Sequence, residues 1–126
     1  MLFVNINNLL LNALIVDDEL DICYLLSGIL RQRNFRTAFV TNLSDAANAI
    51  KNDPPAVLFL DNHLPDGRGI DIIQSTKKKY PNMKIIMITA HDSMEDRRRA
   101  YQEGVDFFIA KPFTQSLITA AIEQIA

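Results

Sequence analysis

The sequence lacks tryptophan, has only four glycines in 126 residues and contains a single cysteine, Cys23. So few glycines exclude a glycine-rich, low-complexity chain. One cysteine excludes an internal disulfide framework and is typical of a reducing compartment, which predicts a cytoplasmic location. Because Cys23 lies on the apolar face of a predicted helix, we interpret it as a packed hydrophobic residue.

The sequence also has neither a large excess of acidic or basic residues nor an extended apolar segment. Thirteen basic and 15 acidic residues leave a net charge of -2, which argues against direct binding of nucleic acid. No apolar run approaches the roughly 20 residues of a membrane-spanning helix, so no membrane association is expected. With 48% hydrophobic residues, the chain can still form one domain with a proper core.

Residues 1–11 form an apolar extension that also carries asparagines. They lack the basic start and the small-residue cleavage site of a signal peptide. An extra strand, a docking tail and a non-native start all remain open for them. We therefore divide the chain into an N-terminal extension of unknown role, residues 1–11, and one domain, residues 12–126.

Short apolar runs alternate with helical patterns along this domain. The runs that predict strands are 13–16, 37–40, 56–60, 85–88 and 107–110. Apolar residues at helical spacing include Ile22, Leu25, Leu26, Ile29 and Leu30 in the first helix, and Leu117, Ile118, Ala121, Ile122 and Ile125 in the fifth. A capping pattern at residues 93–96 predicts the start of the fourth helix, and Gly104 its end. This alternation predicts an α/β fold with a parallel sheet covered by helices on both faces.

Polar residues follow four of the predicted strands. Asp17 and Asp18 follow the first strand, Asp61 the third, Thr89 the fourth and Lys111 the fifth. These strand ends lie along one edge of a parallel sheet, where ligands bind. Grouped carboxylates favour a hard cation such as Mg²⁺, beside which an aspartate can attack phosphorus. We predict that Asp61 is this nucleophile, with Lys111 and Thr89 meeting the phosphoryl oxygens.

Each of these residues also has a simpler interpretation. The acids after the first strand could cap a helix, and an aspartate after a strand is often part of a turn. A threonine can satisfy backbone groups, and a lysine can lie in solvent. Taken singly, these interpretations are favoured. Their joint occurrence at four strand ends on one edge favours a site.

Four segments, LIVDDE, FLDNHLPDGRG, IIMITA and IAKPF, resemble in order and spacing the receiver domain of two-component response regulators. The resemblance covers residues 12–126. It implies a flavodoxin-like (βα)5 doubly wound parallel sheet with strand order 2-1-3-4-5. It also implies that Asp61 is the phosphoacceptor and that Mg²⁺ is bound by Asp17, Asp18, Asp61 and the backbone carbonyl of His63.

The resemblance further implies a conformational switch. Thr89 and Lys111 match the hydroxyl and the lysine of the family, and Phe108 matches its aromatic switch position. Phosphorylation is expected to draw Thr89 inward, with Phe108 following into the space that it leaves. The Lys111-Pro112 bond is expected to be cis.

The two histidines, His63 and His91, each lie two residues beyond a site residue. In the resembled family these positions vary and tune the rates of phosphorylation and dephosphorylation. Because imidazole titrates near pH 6.5, we expect protonated rings to speed phosphoryl uptake modestly between about pH 7.5 and pH 6. The alternative is that both are idle loop residues.

The implied function is a phosphorylation-dependent signalling switch in a phosphorelay. The chain would accept a phosphoryl group from a sensor histidine kinase, a phosphotransfer protein or a small acyl phosphate. It would not be an enzyme, but a phosphoacceptor that assists its own phosphorylation and dephosphorylation. Its fourth helix, fifth strand and fifth helix would contact a target or an output domain, or form a phosphorylation-dependent homodimer. Because Ala126 ends the predicted fifth helix, we expect either part of a longer response regulator or hybrid kinase, or a stand-alone regulator.

Two other classes of protein fit the sequence less well. A phosphohydrolase of the haloacid dehalogenase type would carry a second aspartate two residues after the nucleophile, where this chain has His63. A flavodoxin-like binding module would cradle a phosphate after the first strand, where the acids at 17–19 repel one.

Overall fold

The computed structural model describes residues 11–125. The predictions for residues 1–10 and for Ala126 lie outside these described residues. The strands are β1 (Asn12–Val16), β2 (Arg36–Val40), β3 (Val57–Leu60), β4 (His63–Leu64), β5 (Gly67–Arg68), β6 (Lys84–Thr89) and β7 (Phe107–Ala110). The helices are α1 (Leu20–Gln32), α2 (Leu43–Asn52), α3 (Ile70–Lys79), α4 (Met94–Glu103) and α5 (Gln115–Ile125).

Five of the strands form one parallel sheet in the order β2-β1-β3-β6-β7. The two-residue strands β4 and β5 pair antiparallel with each other in the loop after β3. When these two short strands are left out of the numbering, the order is 2-1-3-4-5. The predicted doubly wound fold is confirmed.

The sheet separates two hydrophobic clusters because successive side chains of a strand point to opposite faces. Ala13, Ile15, Phe59 and Ile88 pack on one side with α1 and α5. Residues of the other parity pack on the opposite side with α2, α3 and α4. All four residues of β3 are buried, as expected for a central strand with both faces covered. Burial of each large side chain contributes roughly 1.5–3 kcal/mol.

The ends of α4 follow the predicted pattern. The Ser93 side chain accepts a hydrogen bond from the Asp96 N–H at 3.0 Å. Gly104 has a φ of 113° at the carboxyl end, a conformation that favours glycine. The Asp96 carboxylate does not complete the capping box. It accepts a hydrogen bond from Arg68 at 3.1 Å instead, which ties α4 to the loop after β3.

Two residues that we placed on apolar helix faces are exposed. Leu25 of α1 is 51% exposed and Leu117 of α5 is 39% exposed. Each precedes a buried residue, Leu26 and Ile118, and successive side chains are about 100° apart around a helix. The contact stripe with the sheet is too narrow to include both members of such a pair. Cys23 is fully buried, as predicted.

Within residues 11–125, none of the helices combines the length and the apolar character needed to cross a membrane.

Candidate functional site

Three of the predicted site residues stand immediately after a strand, with the backbone still bonded to the neighbouring strand. Because this bond fixes the backbone, the side chains project from the sheet edge at defined positions. The bonds run from Asp17 N–H to the Val40 carbonyl (3.1 Å), from Asp61 N–H to the Val16 carbonyl (2.9 Å) and from Lys111 N–H to the Thr89 carbonyl (2.9 Å).

Lys111 lies at the centre of the site. Its Nζ is 2.9 Å from Asp17 Oδ2, 2.8 Å from Glu19 Oε1 and 3.6 Å from Asp61 Oδ2. The side chains of Asp17, Asp61 and Lys111 are 3%, 5% and 8% exposed, whereas that of Glu19 is 58% exposed. One ammonium group is therefore paired with two buried carboxylates and one at the surface.

This arrangement shifts the protonation of all three buried groups. Burial raises the pKa of Asp61 to about 6, and the charge of Asp17 adds to this effect, while Lys111 and the Asn62 N–H oppose it. Burial also raises the pKa of Asp17, against its bonds to the Glu19 N–H and to Lys111. Burial alone would lower the pKa of Lys111, but its carboxylate partners raise it above its usual range. The site thus has an excess of negative charge that a further cation would relieve.

The carboxylate oxygens of Asp17, Glu19 and Asp61 lie within 4.8 Å of one another. Among the residues that the structure describes, this is the one such group of three or more metal-ligating side chains. A set of oxygen ligands that is partly open to solvent fits a hard cation that keeps several waters, such as Mg²⁺. The acidic cluster can therefore hold a metal ion.

Asp18 stands outside this group, although we predicted it as a ligand. It is exposed and lines the same pocket as Glu19 and Asp61. Asp17 Oδ1 accepts a hydrogen bond from the Glu19 N–H at 2.9 Å, which turns the chain so that Glu19 reaches Lys111. We did not predict Glu19 as a site residue; its signal was its place as the third acid of DDE.

The loop after Asp61 is closed by Asn62, which we also did not predict. The Asn62 N–H donates to Asp61 Oδ1 at 2.8 Å. Its side-chain oxygen accepts from the Ile70 N–H at 2.9 Å, and its carbonyl accepts from the Gly69 N–H at 3.0 Å. One oxygen of the Asp61 carboxylate is thereby held in place, and the other is directed towards Lys111.

Gly69 packs directly against this site. A Cβ at this position would overlap the Asp61 carbonyl oxygen and come within 2.9 Å of Leu60. Gly69→Ala is therefore expected to lower the free energy of unfolding by about 1–3 kcal/mol, measured by urea denaturation.

Gly28 supplies the matched control for this substitution. It lies inside α1 and has no atom within 4 Å of the Cβ position. Gly28→Ala is therefore expected to stabilise the fold by roughly 0.5–1 kcal/mol. Equal effects of the two substitutions would contradict the close packing of Gly69 on Asp61.

The predicted switch residues lie on the α4 side of the sheet. Thr89 is fully buried, and its Oγ1 accepts a hydrogen bond from the His91 N–H at 3.2 Å. Phe108 is only 3% exposed, and the Arg97 guanidinium lies 4.7 Å from the centre of its ring. The Phe108 N–H donates to Tyr101 Oη at 3.2 Å. We expected Phe108 to move inward, but the ring is already buried in this structure.

The peptide bond after Lys111 is cis, as predicted.

The two histidines meet above the site. The rings of His63 and His91 have centroids 3.8 Å apart and planes tilted by 33°. Both are exposed and line a cavity of about 260 Å³ that Asp61 and Lys111 also line. Desolvation lowers the pKa of His63, and the proximity of His91 lowers it further. This shift opposes the protonation of His63 that we expected near pH 6.

The chain is similar to known proteins over most of its length. The profile of the family described as "Response regulator receiver domain" matches residues 13–123. The chain is 35% identical to the response regulator protein PilR of Pseudomonas aeruginosa over 100 residues, which cover 79% of this chain and 22% of PilR. It is 28% identical to the DNA-binding transcriptional regulator NtrC of Proteus hauseri over 113 residues, covering 90% and 24%. The chain thus spans about a quarter of the length of these two relatives.

A solved structure has the same fold. The CheY-like response regulator receiver domain protein of Methanospirillum hungatei superposes with a TM-score of 0.85 at 27% identity. The superposition covers 92% of this chain and 94% of that one.

Proposed function

Because the chain belongs to the response regulator receiver domain family, we propose that it is a phosphorylation-dependent switch with Asp61 as phosphoacceptor. The observation that supports this assignment most strongly is the buried ammonium of Lys111, between Asp17 at 2.9 Å and Asp61 at 3.6 Å. A carboxylate that attacks a phosphoryl group needs neighbouring positive charge, because both reactants are anionic. Asp61 has this charge beside its second oxygen, Oδ2.

In the reaction, an oxygen of Asp61 forms a bond to phosphorus while the bond from phosphorus to the donor breaks. The donor is a phosphohistidine or a small acyl phosphate. Asn62 holds the first carboxylate oxygen, so Oδ2, the oxygen that faces Lys111, is placed to attack. Lys111 then binds the incoming phosphoryl oxygens.

A magnesium ion would be held by the acidic cluster. Asp17, Glu19 and Asp61 supply the oxygens that the structure groups, and the resemblance adds Asp18 and the His63 carbonyl. When bound, Mg²⁺ would neutralise charge on the carboxylates and on the transferred group. The chain would thus assist its own phosphorylation and dephosphorylation without being an enzyme in the usual sense.

Thr89 and Phe108 would transmit the effect of phosphorylation from the site to the protein surface. A phosphoryl group adds up to about two negative charges, which attract the Thr89 hydroxyl away from the His91 N–H. Because Phe108 is already inside, we propose that the response is a change in the packing of Arg97 over its ring. The surface of α4, β7 and α5 would have two conformations, and phosphorylation would change their relative populations.

We propose that residues 12–126 are the receiver unit and that residues 1–11 lie outside it. A sensor histidine kinase or a phosphotransfer protein would supply the phosphoryl group in the cytoplasm. The surface of α4, β7 and α5 would contact an output domain, a target or a second copy. The much greater length of PilR and NtrC supports a place in a longer regulator or hybrid kinase. A stand-alone regulator is the alternative.

The function is tested by phosphoryl uptake. With acetyl phosphate and Mg²⁺, one acid-stable and alkali-labile phosphate per chain is expected, and chelation of the metal should prevent uptake.

Asp18→Asn is expected to lower the affinity for Mg²⁺ at least about tenfold, because Asp18 lines the pocket and is not paired with Lys111. The Mg²⁺ dependence of labelling, followed by mass spectrometry, measures this.

Asp21→Asn is the matched control, since Asp21 is an exposed acid in the first turn of α1. It should label like the wild type. If Glu19→Gln loses Mg²⁺ dependence while Asp18→Asn keeps it, the metal is bound by the group that the structure displays. Repeated turnover of acetyl phosphate, with release of many phosphates per chain at the rate of an enzyme, would favour a hydrolase.

A further inference from the structure

The contact between the two imidazoles is not used by the proposed phosphoryl chemistry. His63 and His91 are the only histidines of the chain. They come from separate loops, yet their rings lie 3.8 Å apart, centroid to centroid. Such a pair places two strong nitrogen ligands side by side.

Both histidines are held by their backbones. His63 belongs to β4 and pairs with Arg68 of β5. The His91 N–H donates to Thr89 Oγ1 at 3.2 Å. The rings themselves are exposed, so a metal ion can reach them from solvent and small side-chain rotations can orient them. The two loops thus position the pair in the folded state before a ligand arrives.

We propose that His63 and His91 together bind a divalent cation of the zinc class. Neutral imidazole nitrogen is a preferred ligand of Zn²⁺, with bonds of about 2.0–2.1 Å. Two nitrogens on one tetrahedral ion are then about 3.3 Å apart, by the geometry of those bonds. With their centroids 3.8 Å apart, the rings are close enough for rotation of the two exposed side chains to bring one nitrogen of each to this separation. The remaining coordination positions would be filled by water or by oxygens of a small anion.

This site differs in chemistry from the acidic cluster below it. The cluster of Asp17, Glu19 and Asp61 offers only carboxylate oxygens, which suit Mg²⁺. The histidine pair offers nitrogen, which favours zinc over magnesium. Cys23, the only cysteine, is fully buried and does not compete for the metal. The site goes beyond the proposed function and does not depend on it.

The test is zinc binding by the full chain, with Zn²⁺ as the probe. A chromogenic zinc indicator competes for the metal in a large excess of Mg²⁺, which fills the acidic cluster. One Zn²⁺ per wild-type chain is expected. His63→Gln and His91→Gln should each lower the affinity for Zn²⁺ at least about tenfold. Mutation of a residue that only hydrogen-bonds to a metal ligand already lowers metal affinity by about this factor.

Asp61→Asn separates the two sites. It removes an oxygen ligand of the acidic cluster and leaves both imidazoles, so wild-type zinc affinity is expected. Side-chain NMR signals of both histidines should shift together on addition of Zn²⁺ to the wild type. Wild-type zinc affinity in His91→Gln, or loss of zinc binding in Asp61→Asn, would overturn the proposal.

Discussion

Asp61→Asn is expected to take up no phosphoryl group from acetyl phosphate, yet to fold more stably than the wild type without Mg²⁺. Uptake is lost because an amide does not supply the nucleophilic carboxylate oxygen. Stability rises because burial and the charge of Asp17 raise the pKa of Asp61 from 3.8 to about 6. Two pKa units correspond to about 3 kcal/mol, which the ionised carboxylate costs the folded state at neutral pH.

The sign of this effect gives it a characteristic pH dependence. Below pH 3.8 the carboxyl group is protonated in both states, so it has little effect on the free energy of unfolding. As the pH rises, the unfolded chain ionises first, and the wild type loses stability until the folded group ionises near pH 6. The advantage of Asp61→Asn should therefore grow between these values and then stay constant.

Urea denaturation across this pH range, with mass spectrometry of acetyl phosphate reactions, measures both parts. Added Mg²⁺ should stabilise the wild type and narrow the difference from Asp61→Asn, because the ion binds the ionised carboxylates. If Asp61→Asn still carries one phosphate per chain, another residue is the phosphoacceptor. If Asp61→Asn is less stable than the wild type at pH 7.5, the ionised Asp61 carboxylate does not destabilise the folded state.

Lys111→Met is expected to lower the free energy of unfolding by about 3–5 kcal/mol at neutral pH without Mg²⁺. Methionine has a similar size but no charge, so the buried carboxylates of Asp17 and Asp61 lose their shared ammonium partner. Removing one partner from a buried ion pair typically costs this much. Urea denaturation with and without Mg²⁺ measures the loss and its partial recovery by the metal.

Lys78→Met provides the control for this substitution. Lys78 is an exposed lysine near the carboxyl end of α3. Its replacement should change stability by no more than about 0.5 kcal/mol. If Lys111→Met changes the free energy of unfolding as little as Lys78→Met does, Lys111 does not neutralise the two carboxylates in solution.

Much of the site could be predicted because its key residues directly follow strands. The residue after an apolar run is easy to identify, and parallel strands bring such residues to one edge. Asp17, Asp61 and Lys111 were located in this way, and the structure brings them together. The fold could be predicted for the same reason, since strand and helix patterns are local.

The features that the sequence did not reveal depend on contacts between loops. Glu19 joins Lys111 because the Asp17 side chain turns the backbone, which no periodicity records. The pairing of His63 with His91 depends on the conformations of two separate loops. Leu25 was misplaced because a helical pattern does not state how wide the buried stripe is.

The burial of Cys23 has a practical consequence for work on this chain. The protein has no tryptophan, so intrinsic fluorescence offers little signal for unfolding. Its single thiol is fully buried, donates to the Asp17 carbonyl at 3.3 Å, and has a pKa raised to about 11 by burial. A thiol reagent therefore reacts only when the first turn of α1 separates from the acidic loop. The rate at which the reagent labels the Cys23 thiol therefore measures how often the site opens, without any introduced probe.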